Sequence, residues 1–329
     1  MKVILPVAGT GSRLRPFTLS LPKCLLPIAG KALVEHIVES YSSLPVTEQI
    51  FITGYKGELV EDFLKREHFE NSRTVRQENP QGLGEAISLC LPFLTDDEPV
   101  LIILGDTLFD ANLSFLNEEK ENVLMTRTVE DPRRFGVAVT DADGYVTRLV
   151  EKPETFVSNE ALVGIYYIRD VAALRKALER LIREDIRTRN EYQLTDALQM
   201  MLDGGSKFRT APIQSWLDCG TADSFLQTNA KILSAQKVQT YQFEDSRIIP
   251  PCYIDASAKI RASVVGPNVS VGPHVVIENS KISDSVISEQ TSLVNSEITH
   301  SIFGGDSEVK GFKGSLYLGE NSKVISEDV

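Results

Sequence analysis

Apolar positions in the first two thirds of the chain fall into two alternating patterns. Short, nearly unbroken apolar runs occur at Val3–Ala8, Glu48–Thr53, Val100–Leu104, Gly136–Val139 and Val163–Ile168. Runs of this length, bounded by glycine or polar residues, predict strands buried on both faces. Between them, apolar residues recur at three- and four-residue intervals in Ala32–Tyr41, Gly57–Lys65, Gly84–Leu91, Val171–Arg183 and Gln193–Leu202. That spacing predicts amphipathic helices. Strand and helix in alternation imply an α/β fold with a mostly parallel, Rossmann-like sheet and helices on both faces. Ligands of such sheets bind beyond the carboxyl ends of the strands.

From about Arg247 the helical spacing stops. Small aliphatic residues then recur every fifth or sixth position: Ile254, Ile260, Val265, Val271, Ile277, Ile282, Ile287, Leu293 and Ile298. A β-sandwich would alternate with period two, so this spacing predicts a hexapeptide parallel β-helix. The expected organisation is an α/β domain at 1–235, a linker at 236–246 and the repeat domain at 247–329. The intervals of five imply that some corners of the coil are tightened. A short β-helix has open ends that need cover. Another subunit or the first domain would supply it, and Gly311–Val329, read as lying beyond the regular repeat, would close one end.

The richest stretch follows the first strand: Gly9-Thr10-Gly11-Ser12-Arg13-Leu14-Arg15-Pro16-Phe17-Thr18, then Pro22-Lys23 and Pro27-Ile28-Ala29-Gly30-Lys31. Glycines after a buried strand let backbone N–H groups approach a phosphate. Arg13, Arg15 and Lys23 add positive charge, and Pro16 and Pro22 stiffen the loop against helix. No Gly-x-x-x-x-Gly-Lys-Ser/Thr is present, which excludes a P-loop, and the third glycine of a dinucleotide fingerprint is missing.

Charge limits the partners. The net charge is −12 over 329 residues, which argues against nucleic acid. An anionic substrate would be met by local basic groups and a metal ion. No apolar run approaches the length of a membrane span, and the first residues lack a cleavage site, so a cytoplasmic protein is expected. The four cysteines, at 24, 90, 219 and 252, have no metal-binding spacing and are expected to be reduced thiols.

Further candidate chemistry lies at strand ends. Leu104-Gly105-Asp106 closes an apolar run, and Trp216-Leu217-Asp218-Cys219-Gly220-Thr221 repeats that setting. Arg76-Gln77 leads through Gln81-Gly82-Leu83-Gly84-Glu85 into a helix. The Gln77 amide offers a donor and an acceptor suited to a base edge. In Val150-Glu151-Lys152-Pro153 the carboxylate suits sugar hydroxyls and the lysine a sugar phosphate. His36 and His68 fall in expected helices without a triad pattern, and His274 and His300 fall in the repeat.

The glycine-rich stretch resembles the signature of sugar-1-phosphate nucleotidylyltransferases, with Ala32 where many relatives have proline. The resemblance, close to thymidylyl- and uridylyltransferases, extends to a left-handed β-helix behind the catalytic domain. It implies nucleotide contacts from Ala8, Gly9, Gly11, Ser12, Arg13, Gln77 and Gly82. It implies sugar-phosphate contacts from Gly136, Glu151, Lys152, Gly164 and Glu191, with Asp196 a support of the fold alone. Catalysis would fall to Arg13 and Lys23, and Mg²⁺ to Asp106 and Asp218. The product would be a nucleotide sugar, made with release of pyrophosphate from dTTP or UTP and a sugar 1-phosphate, glucose 1-phosphate by default. Two alternatives stand beside this: a non-catalytic nucleotide-sugar-binding subunit, which would lose Lys23 or an aspartate, and a bifunctional enzyme with a carboxy-terminal acyltransferase. Against the latter, the repeat is short and lacks a long acceptor loop around His274 or His300. A homo-oligomer is expected.

Overall fold

The computed structural model describes residues 1–326. It divides into two compact units, Met1–Gly9 with Ile37–Trp216, and Thr10–His36 with Leu217–Val329.

The first unit is built on one mixed sheet. Its strands are β1 (Lys2–Pro6), β2 (Glu48–Thr53), β3 (Ser72–Arg76), β4 (Val100–Ile103), β5 (Asn122–Thr128), β6 (Gly136–Thr140), β7 (Val146–Glu151), β8 (Glu160–Ile168) and β9 (Phe208–Pro212). The main path runs β7-β6-β8-β4-β1-β2-β3, with β5 paired to β8 and β9 to β5. The β4-β1-β2-β3 half is parallel. Around β8 the pairing turns antiparallel, to β4, β5 and β6, and β7 runs antiparallel to β6. Apolar runs report burial and not strand direction, so the runs at Gly136–Val139 and Val163–Ile168 marked strands here without showing that they run antiparallel. β3 reads Ser-Arg-Thr-Val-Arg and is largely exposed, which left it without an apolar signal.

The first helix, α1, spans Leu33–Ser40, and later helices cover both faces of the sheet. Ile4, Ile50 and Ile52 point to one face and pack with α3 (Leu83–Ser88), α4 (Val171–Arg183) and α5 (Leu194–Asp203). In α4 the buried residues are Val171, Leu174, Ala177, Leu178 and Leu181, the stripe expected of a helix on a sheet. The Asp170 side chain accepts from the Ala173 N–H at 3.1 Å and fixes its start. Phe51 points to the opposite face, where its ring meets Phe69, which meets Phe63 of α2 (Gly57–Arg66). His68, expected in a helix, lies past the end of α2 with φ +52°.

The second unit is a parallel β-helix carrying the glycine-rich loop and α6 (Ala222–Ala235). Lys259 faces Val276, Val276 faces Ser292, Ser292 faces Glu308 and Glu308 faces Lys323, steps of 17, 16, 16 and 15 residues per turn. The tightened corners are thus real. All nine aliphatic residues picked out by spacing line one buried core. Three corner ladders hold left-handed backbone: Ala262, Asn279, Asn295 and Gly311; Asn268, Asp284 and His300; His274, Gln290, Asp306 and Asn321. Short polar residues and glycine tolerate that conformation, and all four asparagines of residues 247–329 stand at these corners. Both histidines of the repeat are corner residues. Serines stack between turns: Ser263 Oγ accepts from Ser280 N–H at 3.0 Å, and Ser280 Oγ from Ser296 N–H at 3.1 Å. Gly311 to Ile325, read as lying beyond the regular repeat, form one further turn in register, with strands at Lys313–Gly314, Tyr317–Leu318 and Lys323–Ile325. The end of the expected closing segment, residues 327–329, lies outside the described residues.

The glycine-rich loop contains three single 3₁₀ turns, at Ser12–Leu14, Phe17–Leu19 and Lys23–Leu25, between its prolines. A small hairpin, Pro27–Ile28 with Lys31–Ala32, turns at Ala29-Gly30. The Asn229 side chain of α6 ties this hairpin to the β-helix. Its Oδ1 accepts from Ala29 N–H at 2.9 Å and from Ser270 Oγ at 2.7 Å, while its Nδ2 donates to Asn268 O at 3.3 Å.

Candidate active site

In the first unit the parallel strands align the residues that follow them. Ala8 and Gly9 follow β1, Gly54 follows β2, Gln77 follows β3, and Leu104-Gly105-Asp106 follow β4. Gly105 N–H donates to Pro6 O at 3.1 Å and Gln77 N–H to Thr53 O at 2.8 Å, so these strand ends share one edge of the sheet. Gly164 joins the same edge from antiparallel β8, its carbonyl accepting from Leu104 N–H at 2.9 Å. This is the edge at which α/β sheets bind ligands.

The sugar-side candidates converge. A Cβ added at Gly136 would stand 2.9 Å from Thr195 Oγ1 and 3.0 Å from Glu151 Oε2. Only a glycine lets these two groups meet there, and the Thr195 hydroxyl donates to Glu151 Oε2 at 2.7 Å. Lys152 Nζ pairs with Glu151 Oε1 at 3.1 Å. Phe135 and Trp216 pack edge to face beside them, centroids 4.9 Å apart. Asp196, next along α5, has a buried Oδ2 with no hydrogen-bond partner among the described residues. Burial raises its pKa, a hydrogen bond from Thr188 offsets part of this, and the charge of Glu151 adds to the rise.

The base-side candidates form a second group. Gly82 has φ +122°, and a Cβ there would stand 2.5 Å from Tyr192 O. The backbone is zipped on both sides of it: Tyr192 N–H donates to Gln81 O at 2.8 Å and Gly84 N–H to Tyr192 O at 2.7 Å. The loop of Gln77 is thereby fastened to the segment of Glu191. The Glu191 side chain is exposed and accepts from Gln193 Nε2 at 2.9 Å. Gln77 is only 6% exposed, and its Nε2 donates to Glu85 Oε2 at 2.6 Å.

The second unit carries the remaining candidates. Gly11, whose carbonyl accepts from Thr18 Oγ1 at 2.9 Å, precedes the first 3₁₀ turn, which holds Ser12 and Arg13. A Cβ at Gly11 would stand 3.1 Å from that of Lys23, so the first glycine turn and the lysine lie side by side. Asp218 ends a short strand, and its Oδ1 accepts from Gly220 N–H at 2.9 Å. A Cβ at Gly220 would meet Asp218 Oδ1 at 2.8 Å and Arg13 Nη2 at 3.0 Å. A guanidinium and a carboxylate therefore flank one glycine.

Thr195, Glu85 and Gly220 went unassigned in the sequence. Glu85 and Gly220 lie inside stretches already singled out and Thr195 beside Asp196, yet the role of each depends on a contact that no periodicity reports. Among the described residues no three His, Cys, Asp or Glu side chains gather into a metal-binding cluster. Asp106 and Asp218 each offer only carboxylate oxygens, a donor type that suits a hard ion taking its other ligands from phosphate and water and does not suit a structural zinc.

Residues 2–235 match the family described as nucleotidyl transferase. The chain is 30% identical to the low-salt glycan biosynthesis nucleotidyltransferase Agl11 of Haloferax volcanii, over 98% of this chain and 99% of that protein. It is 28% identical to a glucose-1-phosphate thymidylyltransferase of Streptomyces antibioticus, over 98% and 93% of the two chains. A crystal structure described as a putative glucose-1-phosphate thymidylyltransferase of Bacillus anthracis, in complex with a sucrose, matches 74% of this chain and 98% of its own with a TM-score of 0.60 at 28% identity. The match over the sheet unit, the signature loop and both groups of site residues has one reading: this chain belongs to the nucleotidyl transferase family.

Proposed function

We propose that the protein joins a nucleoside triphosphate, dTTP or UTP, to a sugar 1-phosphate, with glucose 1-phosphate the first candidate, and releases pyrophosphate. The observation that carries this reading is the shared sheet edge of the first unit, with a buried amide for a base at one side and a Glu151–Lys152–Thr195 cluster for a sugar phosphate at the other. The names of the relatives support the same substrate class.

The sugar phosphate oxygen attacks the α-phosphorus in line, and pyrophosphate leaves, with no covalent enzyme intermediate. Catalysis is then positioning and neutralisation of developing charge. Ala8, Gly9, Gly11, Ser12 and Arg13 hold the triphosphate, and Gln77 and Gly82 the base. Lys23 bridges the α-phosphate and the sugar phosphate. Gly136, Glu151, Lys152, Gly164 and Glu191 hold the sugar phosphate. Asp106 and Asp218 would hold a divalent ion, Mg²⁺, which would supply Lewis-acid neutralisation of charge at the α-phosphate. The protein works in the cytoplasm as a homo-oligomer, with residues 1–235 catalytic, 236–246 a linker and 247–329 the repeat. Cys24 and Cys90 are buried, and burial pushes their thiols up to about 12. Among the described residues no helix is long and apolar enough to cross a membrane.

Pyrophosphate release measured over a panel of triphosphates against a panel of sugar 1-phosphates tests the reading. The expected result is Mg²⁺-dependent release, highest with dTTP or UTP and a hexose 1-phosphate. No release with any pair overturns it.

A further inference from the structure

We propose that Glu85 is a positioning residue for base selectivity: it fixes which end of the Gln77 amide faces the base. The proposal rests on the reading of Gln77 as the base-contacting residue.

A glutamine amide carries a donor at one end and an acceptor at the other, and a half-turn about its last bond exchanges them. Left alone, such a group can read a base edge either way round. Gln77 is not left alone. Its nitrogen lies 2.6 Å from Glu85 Oε2. A carboxylate only accepts, so the atom facing it is the nitrogen, and the reversed amide would set two acceptors against each other. The site is rigid around this contact. Gln77 is 6% exposed, and its backbone N–H is held by Thr53 O at 2.8 Å. Glu85 sits on α3, whose start is fastened through Gly84 N–H to Tyr192 O at 2.7 Å. Glu85 Oε2 also lies 3.4 Å from the Gln81 N–H, on the loop that leads into α3. One carboxylate thus holds the Gln77 side chain and the loop after it.

With nitrogen committed to Glu85, the Gln77 carbonyl oxygen is the group whose place is fixed for the base. An acceptor there matches a ring N–H, as in uracil and thymine. It repels the ring-nitrogen lone pair that cytosine presents at the same position. Rejection of the wrong base then comes from an unpaired, opposed acceptor, the stronger form of discrimination. Replacing Glu85 by glutamine keeps the shape but supplies a group that both donates and accepts. Gln77 is then free to turn and offer its N–H to cytosine.

The test is kcat/KM for UTP and for CTP, with glucose 1-phosphate and Mg²⁺, in the full-length protein and in Glu85→Gln, Glu85→Ala and Gln77→Leu. The ratio for two triphosphates on one preparation is insensitive to the folded fraction, so a merely structural role of Glu85 leaves it unmoved. The expected result is a fall in the UTP-to-CTP ratio of about tenfold or more in both Glu85 variants, and a changed ratio in Gln77→Leu. A changed ratio in Gln77→Leu with an unchanged one in the Glu85 variants overturns the proposal and leaves the reading of Gln77 standing. An unchanged ratio in Gln77→Leu overturns both.

Discussion

The two aspartates carry the sharpest expectation for single side chains. Asp106→Asn and Asp218→Asn each remove a charge and nearly preserve shape. Each should lower Mg²⁺-dependent turnover by at least about 10²-fold, the effect of losing one well-placed electrostatic stabiliser. Steady-state pyrophosphate release checks it, and near-normal turnover in both variants overturns the metal assignment. Asp196 offers an opposite kind of test, because its raised pKa is a stability statement. The folded protein holds this proton more tightly than the unfolded chain. Ionising Asp196 therefore costs stability, and the cost grows as pH rises from the ordinary carboxylate range through the raised folded value. Asp196→Asn removes that cost. The variant should gain in Tm relative to the parent at pH 7 and gain less at pH 4. Thermal melts at the two pH values decide it, and an equal shift at both contradicts the burial argument.

Single turns and strands are held by layers of small apolar side chains. In the β-helix each turn offers only a few such residues, and Leu293 is fully buried among them. Its strand, Ser292–Val294, is bonded on both sides, to Val276–Glu278 and Glu308–Lys310. A cavity there cannot be filled by movement of one neighbour without disturbing the next turn. Leu293→Ala should cost about 2–5 kcal/mol. Urea unfolding followed by circular dichroism measures this; a loss well under 1 kcal/mol would mean that the coil collapses onto the gap. The strand positions of this repeat were legible because its spacing of five and six residues is specific to a coil. The direction of β6 and β8 was not, since an antiparallel and a parallel strand present the same apolar run.

The larger scale is set by what the glycine-rich loop packs against. Leu14, Phe17, Leu26 and Phe225 face Val286 and Ile302 of the β-helix around a cavity of about 60 Å³. The hairpin of Ala29 is tied through Asn229 to Ser270. The loop with Arg13 and Lys23 therefore depends on the β-helix for its shape. Truncation after Ser246 should lower the unfolding midpoint and abolish turnover, even though every assigned site residue remains in the shortened chain. Thermal melts and pyrophosphate release on the truncated protein check this. A truncated protein with unchanged midpoint and turnover overturns it. Light scattering on the full-length protein tests the proposed homo-oligomer.

Local pattern alone determined a good deal. The apolar runs placed β1, β2 and β4 to within two residues, and the helical stripe gave Val171–Arg183 at both ends. The glycine-rich string pointed to phosphate chemistry, because glycine, proline and basic residues act through their own backbone and charge. What folding added are relations between distant segments. Thr195 reaches Glu151 across 44 positions, and Asn229 reaches Ala29 across 200. The loop of Arg13 was read as part of the sheet domain, yet its apolar side chains pack with the β-helix. A motif states which groups are present. Which acceptor a buried amide meets depends on side chains brought together only when the sheet and its covering helix pack, and no spacing along the chain encodes that meeting.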